Sequence, residues 1–133
     1  MRSTEIVNAF WEDVWNAHAP DAVDKFVADD VVIEAGGQEI AGKDNVRNWV
    51  KQFLDRVDDL RVDIIETFQD EEGTRVTSRW VLTGANNGIL DTKPDGKPLA
   101  LTGTAVWTVE DGKLQRGWVE QASFELYHYL LAK

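Results

Sequence analysis

Trp107-Thr108-Val109-Glu110-Asp111-Gly112-Lys113-Leu114, continued by Gln115-Arg116-Gly117-Trp118-Val119-Glu120-Gln121-Ala122, decides the fold. Glu110-Asp111-Gly112 is a strong hairpin signal between two runs of β-branched and aromatic residues. On the returning strand, Trp118, Glu120 and Ala122 share one face, because side chains alternate. That face carries a large ring, a carboxylate and a gap. A carboxylate among apolar neighbours is costly unless it has a partner or a chemical task. The expected functional surface is therefore here.

Working outward, the period remains two back to Arg61. Strands are expected over Arg61–Phe68, Thr74–Gly84, Leu99–Thr108 and Leu114–Phe124, joined by Gln69-Asp70-Glu71-Glu72-Gly73, Lys93-Pro94-Asp95-Gly96 and the Glu-Asp-Gly turn. Before Leu60 the period is helical. Ile6, Val7, Phe10, Trp11, Val14 and Trp15 make one buried stripe, with Ser3 as the expected cap. A break at Ala19-Pro20-Asp21 starts a short second helix reaching Phe26. Val31–Glu34 and Ile40–Gly42 read as strand segments around a Gly36-Gly37 turn. Lys43–Leu54 reads as a third helix burying Val46, Val50, Phe53 and Leu54. The expected class is α+β, with three N-terminal helices packed against a curved, mostly antiparallel sheet that encloses a pocket.

Composition bounds the function. The 133 residues read as a single domain, 1–133, and 43% hydrophobic content with six tryptophans indicates a folded globule. A net charge of -10 speaks against nucleic acid and anionic membranes as partners, and no apolar run approaches a membrane span. There is no cysteine, which removes disulfides and thiolate chemistry. The two histidines, His18 and His128, are far apart and no spaced acid cluster accompanies them, so no metal or other cofactor is expected. A cytoplasmic protein is the default expectation.

Trp15-Asn16, Asp21-Ala22-Val23 and Phe26-Val27-Ala28-Asp29-Asp30-Val31-Val32 resemble the opening of SnoaL-like polyketide cyclases of the NTF2-like superfamily. Arg79-Trp80-Val81-Leu82-Thr83-Gly84, Asn87-Gly88, Gly96-Lys97-Pro98, Thr102-Gly103 and the stretch from Val109 to Trp118 resemble that family's second half. The resemblance covers nearly the whole chain and implies an α+β cone. It also implies cofactor-free proton abstraction next to a carbonyl, with aldol closure or a related rearrangement of a hydrophobic substrate. The family's acid position falls on Ala122 and its histidine on Ala105. The tyrosine and acids of the steroid-isomerase branch fall on Trp11, Ala35 and Thr104, and the Arg-x-Asp pattern of limonene epoxide hydrolases is absent.

Strand parity then sets the expected pocket wall: Val32 and Glu34 on the first strand, Trp80, Leu82 and Asn86, then Gly103, Ala105 and Trp107, and finally Trp118, Glu120 and Ala122, with Trp11 looking in from the first helix. Glu120 is the expected base, Glu34 a second acid or base, and Asn86 a donor to an enolate oxygen; Trp11, Trp80, Ala105, Trp107, Trp118 and Ala122 would contact substrate. Bland readings stand beside these: Glu120 pairing with Arg79 or Arg116, Glu34 exposed beside a glycine turn, Asn86 serving its own turn, and tryptophans as plain core. The competing function is a non-catalytic module that binds a small hydrophobic molecule, having lost the family's acid and histidine. A homodimer through the outer sheet face at Thr102, Thr104, Val106 and Thr108 is compatible with either.

Overall fold

The computed structural model describes residues 2–132. Helix α1 (Ser3–Phe10) starts with Glu5 reaching back over the first turn, where the Arg2 amide donates to its Oε1 at 3.1 Å. Ser3, the expected cap, instead donates its hydroxyl to the Gly73 carbonyl at 2.6 Å and so ties the helix to a distant turn. Past Phe10 the helix widens into a π-helical stretch, Trp11–Asn16, in which Ala17 N–H bonds Glu12 O and Ala19 N–H bonds Val14 O, five residues back. Its stripe of Ile6, Val7, Phe10, Trp11, Val14 and Trp15 is buried, as the spacing predicts. A 3-10 turn follows at Pro20–Lys25.

Strand β1 (Val27–Ala35) and β2 (Gln38–Ala41) form a hairpin over the Gly36-Gly37 turn, so the third helix, α2 (Lys43–Arg56), follows two strands rather than preceding the sheet. Val46 and Val50 face the core, and Arg47 reaches Asp24 at 2.6 Å. Strands β3 (Val57–Gln69), β4 (Arg75–Asn86), β5 (Pro98–Glu110) and β6 (Lys113–Gln121) complete a six-stranded sheet, order β2-β1-β6-β5-β4-β3. The sheet is curved and unclosed. Every pairing is antiparallel except β1 with β6. Asp111 and Gly112, at φ 52° and 74°, turn β5 into β6, as the Glu-Asp-Gly signal demands.

The last strand ends at Gln121, short of the expected Phe124, because Ser123–Leu131 forms a further helix, α3, that buries Leu126 and Leu130. Ala122 donates its amide to the Thr102 carbonyl at 3.0 Å and caps this helix instead of extending the strand.

Candidate functional site

Between α1 and the sheet the space is occupied by rings. Trp11 and Trp80 lie 4.5 Å apart by ring centroid, Phe10 and Trp107 5.5 Å, and Trp11 and Trp15 6.0 Å. Trp80 lies flat on Gly103 and Trp107 on Gly117, where a Cβ would come within 2.4 Å of each ring. Two glycines thus make room for two indoles. Ala105 is buried between Gly103 and Trp107 on the same face. Trp11, Trp80, Ala105 and Trp107 are therefore brought together, as the sequence predicts, but as packed core.

The first and last strands present the opposite face from the expected one. On β1 the inward residues are Val31 and Ile33, and on β6 they are Leu114, Gly117 and Val119. Val32, Glu34, Trp118 and Glu120 consequently point outward, away from the helices. Inner-face volume decides this: Trp107 covers Gly117, so Trp118 must face out. There its ring is flanked by the guanidinium groups of Arg75 and Arg116, each 5.3 Å from its centroid. Arg116 also donates to Glu34 at 3.1 Å. Glu34, Trp118 and Glu120 line one open outer hollow of about 400 Å³ together with the β1–β2 turn.

Asn86 is inward and 1% exposed, yet its amide is spent on its own loop. Nδ2 donates to Thr92 Oγ1, the Lys93 carbonyl and Asp95 Oδ1 at 3.0, 2.9 and 3.3 Å, and Oδ1 accepts from the Gly88 and Ile89 amides at 3.0 Å each. It is not free to hydrogen-bond a ligand. The loop it shapes bears on the site, however. Leu90 and Asp91, at φ 57° and 58°, hold a strained left-handed pair. Asp91 is bonded to Arg56 at 2.9 Å and Asn87 Nδ2 to the Asp55 carbonyl at 3.0 Å, which fixes the loop against the end of α2.

At this end of the cone lies an apolar hollow of about 150 Å³, walled by Trp49, Phe53, Ile89, Leu90, Leu101 and Leu126, with Ala35 at its edge and Gln121 and Ser123 as its polar side chains. Trp49, Phe53, Ile89 and Leu90 also border an adjoining outer hollow of about 360 Å³. Trp15 stands behind both, 5.4 Å from the Trp49 ring and 5.7 Å from that of Phe53. Among the described residues, no cluster of three His, Cys, Asp or Glu is placed to hold a metal ion. Nor, among these residues, is any helix long and apolar enough to cross a membrane. Sequence reasoning missed this wall. Trp49 with Phe53 at i, i+4 on α2 is the available signal, while Leu126 belongs to a helix whose first two residues fall inside the expected Leu114–Phe124 strand.

The fold matches solved structures of low identity. A candidate SnoaL-like polyketide cyclase from Jannaschia sp. CCS1 superimposes with TM-score 0.89 at 17% identity, covering 98% of this chain and 92% of the other. A candidate polyketide cyclase from Acidithiobacillus ferrooxidans gives 0.84 at 23%, covering 98% and 94%. AclR, a candidate hydroxylase from Streptomyces galilaeus, gives 0.76 at 20%, covering 95% and 90%. The search of curated proteins found no match. A profile of the SnoaL-like domain matches residues 7–117, and the chain belongs to that family, with its NTF2-like fold.

Proposed function

We propose that this SnoaL-like protein binds a small hydrophobic molecule at the mouth of its cone, in the hollow between α2, α3 and the Ile89-Leu90 loop. The observation that carries this reading is the wall itself: six apolar side chains, two of them aromatic, with neutral polar groups at Gln121 and Ser123. Pockets of this make-up hold apolar ligands and orient them with few polar contacts. The wall offers no carboxylate or imidazole for proton abstraction, which favours binding without turnover. Ala35→Leu projects three added carbons toward the hollow. In a thermal-shift screen of small apolar ketones, esters and aromatics, it should abolish stabilisation seen with the unaltered chain; stabilisation that persists in Ala35→Leu sinks the reading.

Acid–base catalysis is the second reading, favoured by Glu34 and Glu120 lining one hollow beside Trp118, although on the outer face. It requires Glu120→Gln to abolish conversion of a ligand while leaving its binding intact, with mass analysis as the readout.

A homodimer through the outer face accompanies either reading. The row Trp118, Val106, Thr77 and Phe68 runs across four strands of that face, with Phe68 54% exposed. Light scattering should give twice the chain mass, and Val106→Arg should restore the monomer.

A further inference from the structure

Helix α3 supplies Ser123 and Leu126 to the mouth hollow, yet little holds it to the body of the protein. It packs on β5 through Leu126 and Leu130, while Phe124, Tyr127, Tyr129 and Leu131 are exposed. An isolated helix shorter than about 12 residues is marginal in water, and α3 has nine. It keeps its shape only while docked, so lifting it away amounts to unfolding it.

Among the described residues, the hydrogen bonds between this helix and the body gather at its two ends. At the start, the Ala122 amide donates to the Thr102 carbonyl at 3.0 Å, and Ala122, at φ -75° and ψ 53°, is neither strand nor helix. At the far end, Lys97 Nζ donates to the Tyr129 and Ala132 carbonyls at 2.8 and 3.1 Å. The same ammonium lies 4.4 Å from the centre of the Tyr129 ring, whose hydroxyl donates to the Pro98 carbonyl at 2.7 Å. The last carbonyls of a helix have no partner within it, and a cation there also meets the negative end of the helix dipole. Lys97 is itself held in place: its amide donates to Asp95 Oδ1 at 3.0 Å, and its carbonyl accepts from the Asn86 amide at 2.9 Å. It closes the same loop that contributes Ile89 and Leu90 to the hollow. One side chain therefore ties the loop wall to the helix wall.

We propose that α3 is a lid on the mouth hollow, that it opens as one unit about Ala122 when the Lys97 latch lets go, and that this opening admits the ligand. The proposal rests on the reading of the mouth as a binding site and names what regulates access to it. Leu101 lines the hollow from the sheet side yet is only 2% exposed, and it shares that wall with Leu126 of α3. Lifting α3 uncovers it. A ligand that touches Ser123 and Leu126 has those contacts only in the closed state, so its binding favours closure. Occupancy and closure are then linked reciprocally.

The chain has no cysteine, so one introduced thiol reports on one place. Leu101→Cys puts a thiol in the hollow, and Ala105→Cys puts a buried control on the same strand outside it. Iodoacetamide labelling, read by mass, follows the open fraction when closing outpaces reaction. Lys97→Met keeps the aliphatic stem and removes the donors. It should raise labelling at Leu101→Cys about tenfold, the worth of a charge-assisted hydrogen bond, and leave Ala105→Cys unchanged. Lys97→Arg should restore the slow rate. Hydrogen exchange under Lys97→Met should accelerate from Leu126 to Leu131 and not in β5 or β6. Unchanged labelling at Leu101→Cys overturns the latch, and an equal rise at both thiols overturns the lid, because it reports loosening of the whole fold. Toluene, close in size to a ligand of known apolar cavities, tests the link to binding: it should slow exchange in α3 of the unaltered chain. Toluene that binds, by a thermal shift that Ala35→Leu removes, without slowing α3 exchange overturns the lid and leaves the mouth site standing. A latch effect on labelling with no toluene shift overturns the mouth reading, and with it the lid's part in admitting a ligand.

Discussion

The indole of Trp107 rests on the backbone of Gly117, so close that a single added methyl group would meet the ring at 2.4 Å. Trp80 and Gly103 repeat the relationship one strand over. Neither glycine has a left-handed backbone, so the requirement is steric alone. Gly117→Ala and Gly103→Ala should each cost about 1–3 kcal/mol by overpacking. The check is a melting temperature several degrees lower, with near-ultraviolet dichroism reporting the displaced indoles.

Asn16 closes the exposed edge of the sheet. Its Oδ1 accepts from the Val62 amide at 2.6 Å and its Nδ2 donates to the Val62 carbonyl at 2.9 Å, so one side chain satisfies both backbone groups of an edge residue. Two residues on, a His18 ring nitrogen donates to the Leu60 carbonyl at 2.7 Å. Asn16→Ala should destabilise by about 1–3 kcal/mol, because it leaves a part-buried donor and acceptor unmatched. It should also raise aggregation on heating, since a free edge recruits other strands. Denaturant titration and light scattering read the two effects separately.

Asn86→Ala should loosen the Asn87–Lys97 loop before it unfolds the protein. The substitution strands the Gly88 and Ile89 amides, at a cost of about 1–3 kcal/mol. Hydrogen exchange should accelerate at Gly88 and Ile89 ahead of the strands. Because Ile89 and Leu90 wall the mouth, ligand binding there should weaken in parallel.

Asp95 gives this loop an acid limit. The Lys97 backbone amide, at 3.0 Å, holds its carboxyl below the ordinary value of 3.8, and the Asn86 side chain contributes in the same direction. A lowered carboxylate stabilises the fold fully above 3.8 and loses that contribution as pH falls through the lowered value. Protection of the Lys97 amide should therefore hold at pH values above 3.8 and fail progressively below it. Asp95→Asn should abolish that pH dependence.

The α+β class, the hairpins and the burial of α1 were legible because each rests on local periodicity. Which way β1 and β6 face was not. Val31-Val32-Ile33 is apolar on both faces, so alternation gives no parity there. On β6 the large Trp118 reads as core, until Trp107 on the adjacent strand is seen to need the space above Gly117. The parity of one strand is set by the bulk of another, and a single chain read in order does not reveal that. The Ser123–Leu131 helix escaped for a related reason: it buries only Leu126 and Leu130, while Phe124 and Leu131 face out. Asn86 was placed inward correctly, and its five loop contacts explain why inward position did not make it a ligand group.

The parallel pairing of β1 with β6 has a consequence for how the chain reaches this shape. Ile33 is matched to Gly117 at a sequence separation of 84, and among the described residues β6 is the sole strand linking the first hairpin to the rest of the sheet. A nascent chain that has released β1, β2 and α2 from the ribosome holds a hairpin packed on α2 and the Pro20–Lys25 turn, but its neighbour in the sheet is missing until the final fifth of the sequence emerges. Contacts of such long sequence separation slow folding, since a large loop must close before they contribute. Assembly of the sheet is thus completed from its C-terminal end, and the inserted β6 acts as the keystone that joins the first hairpin to the other strands.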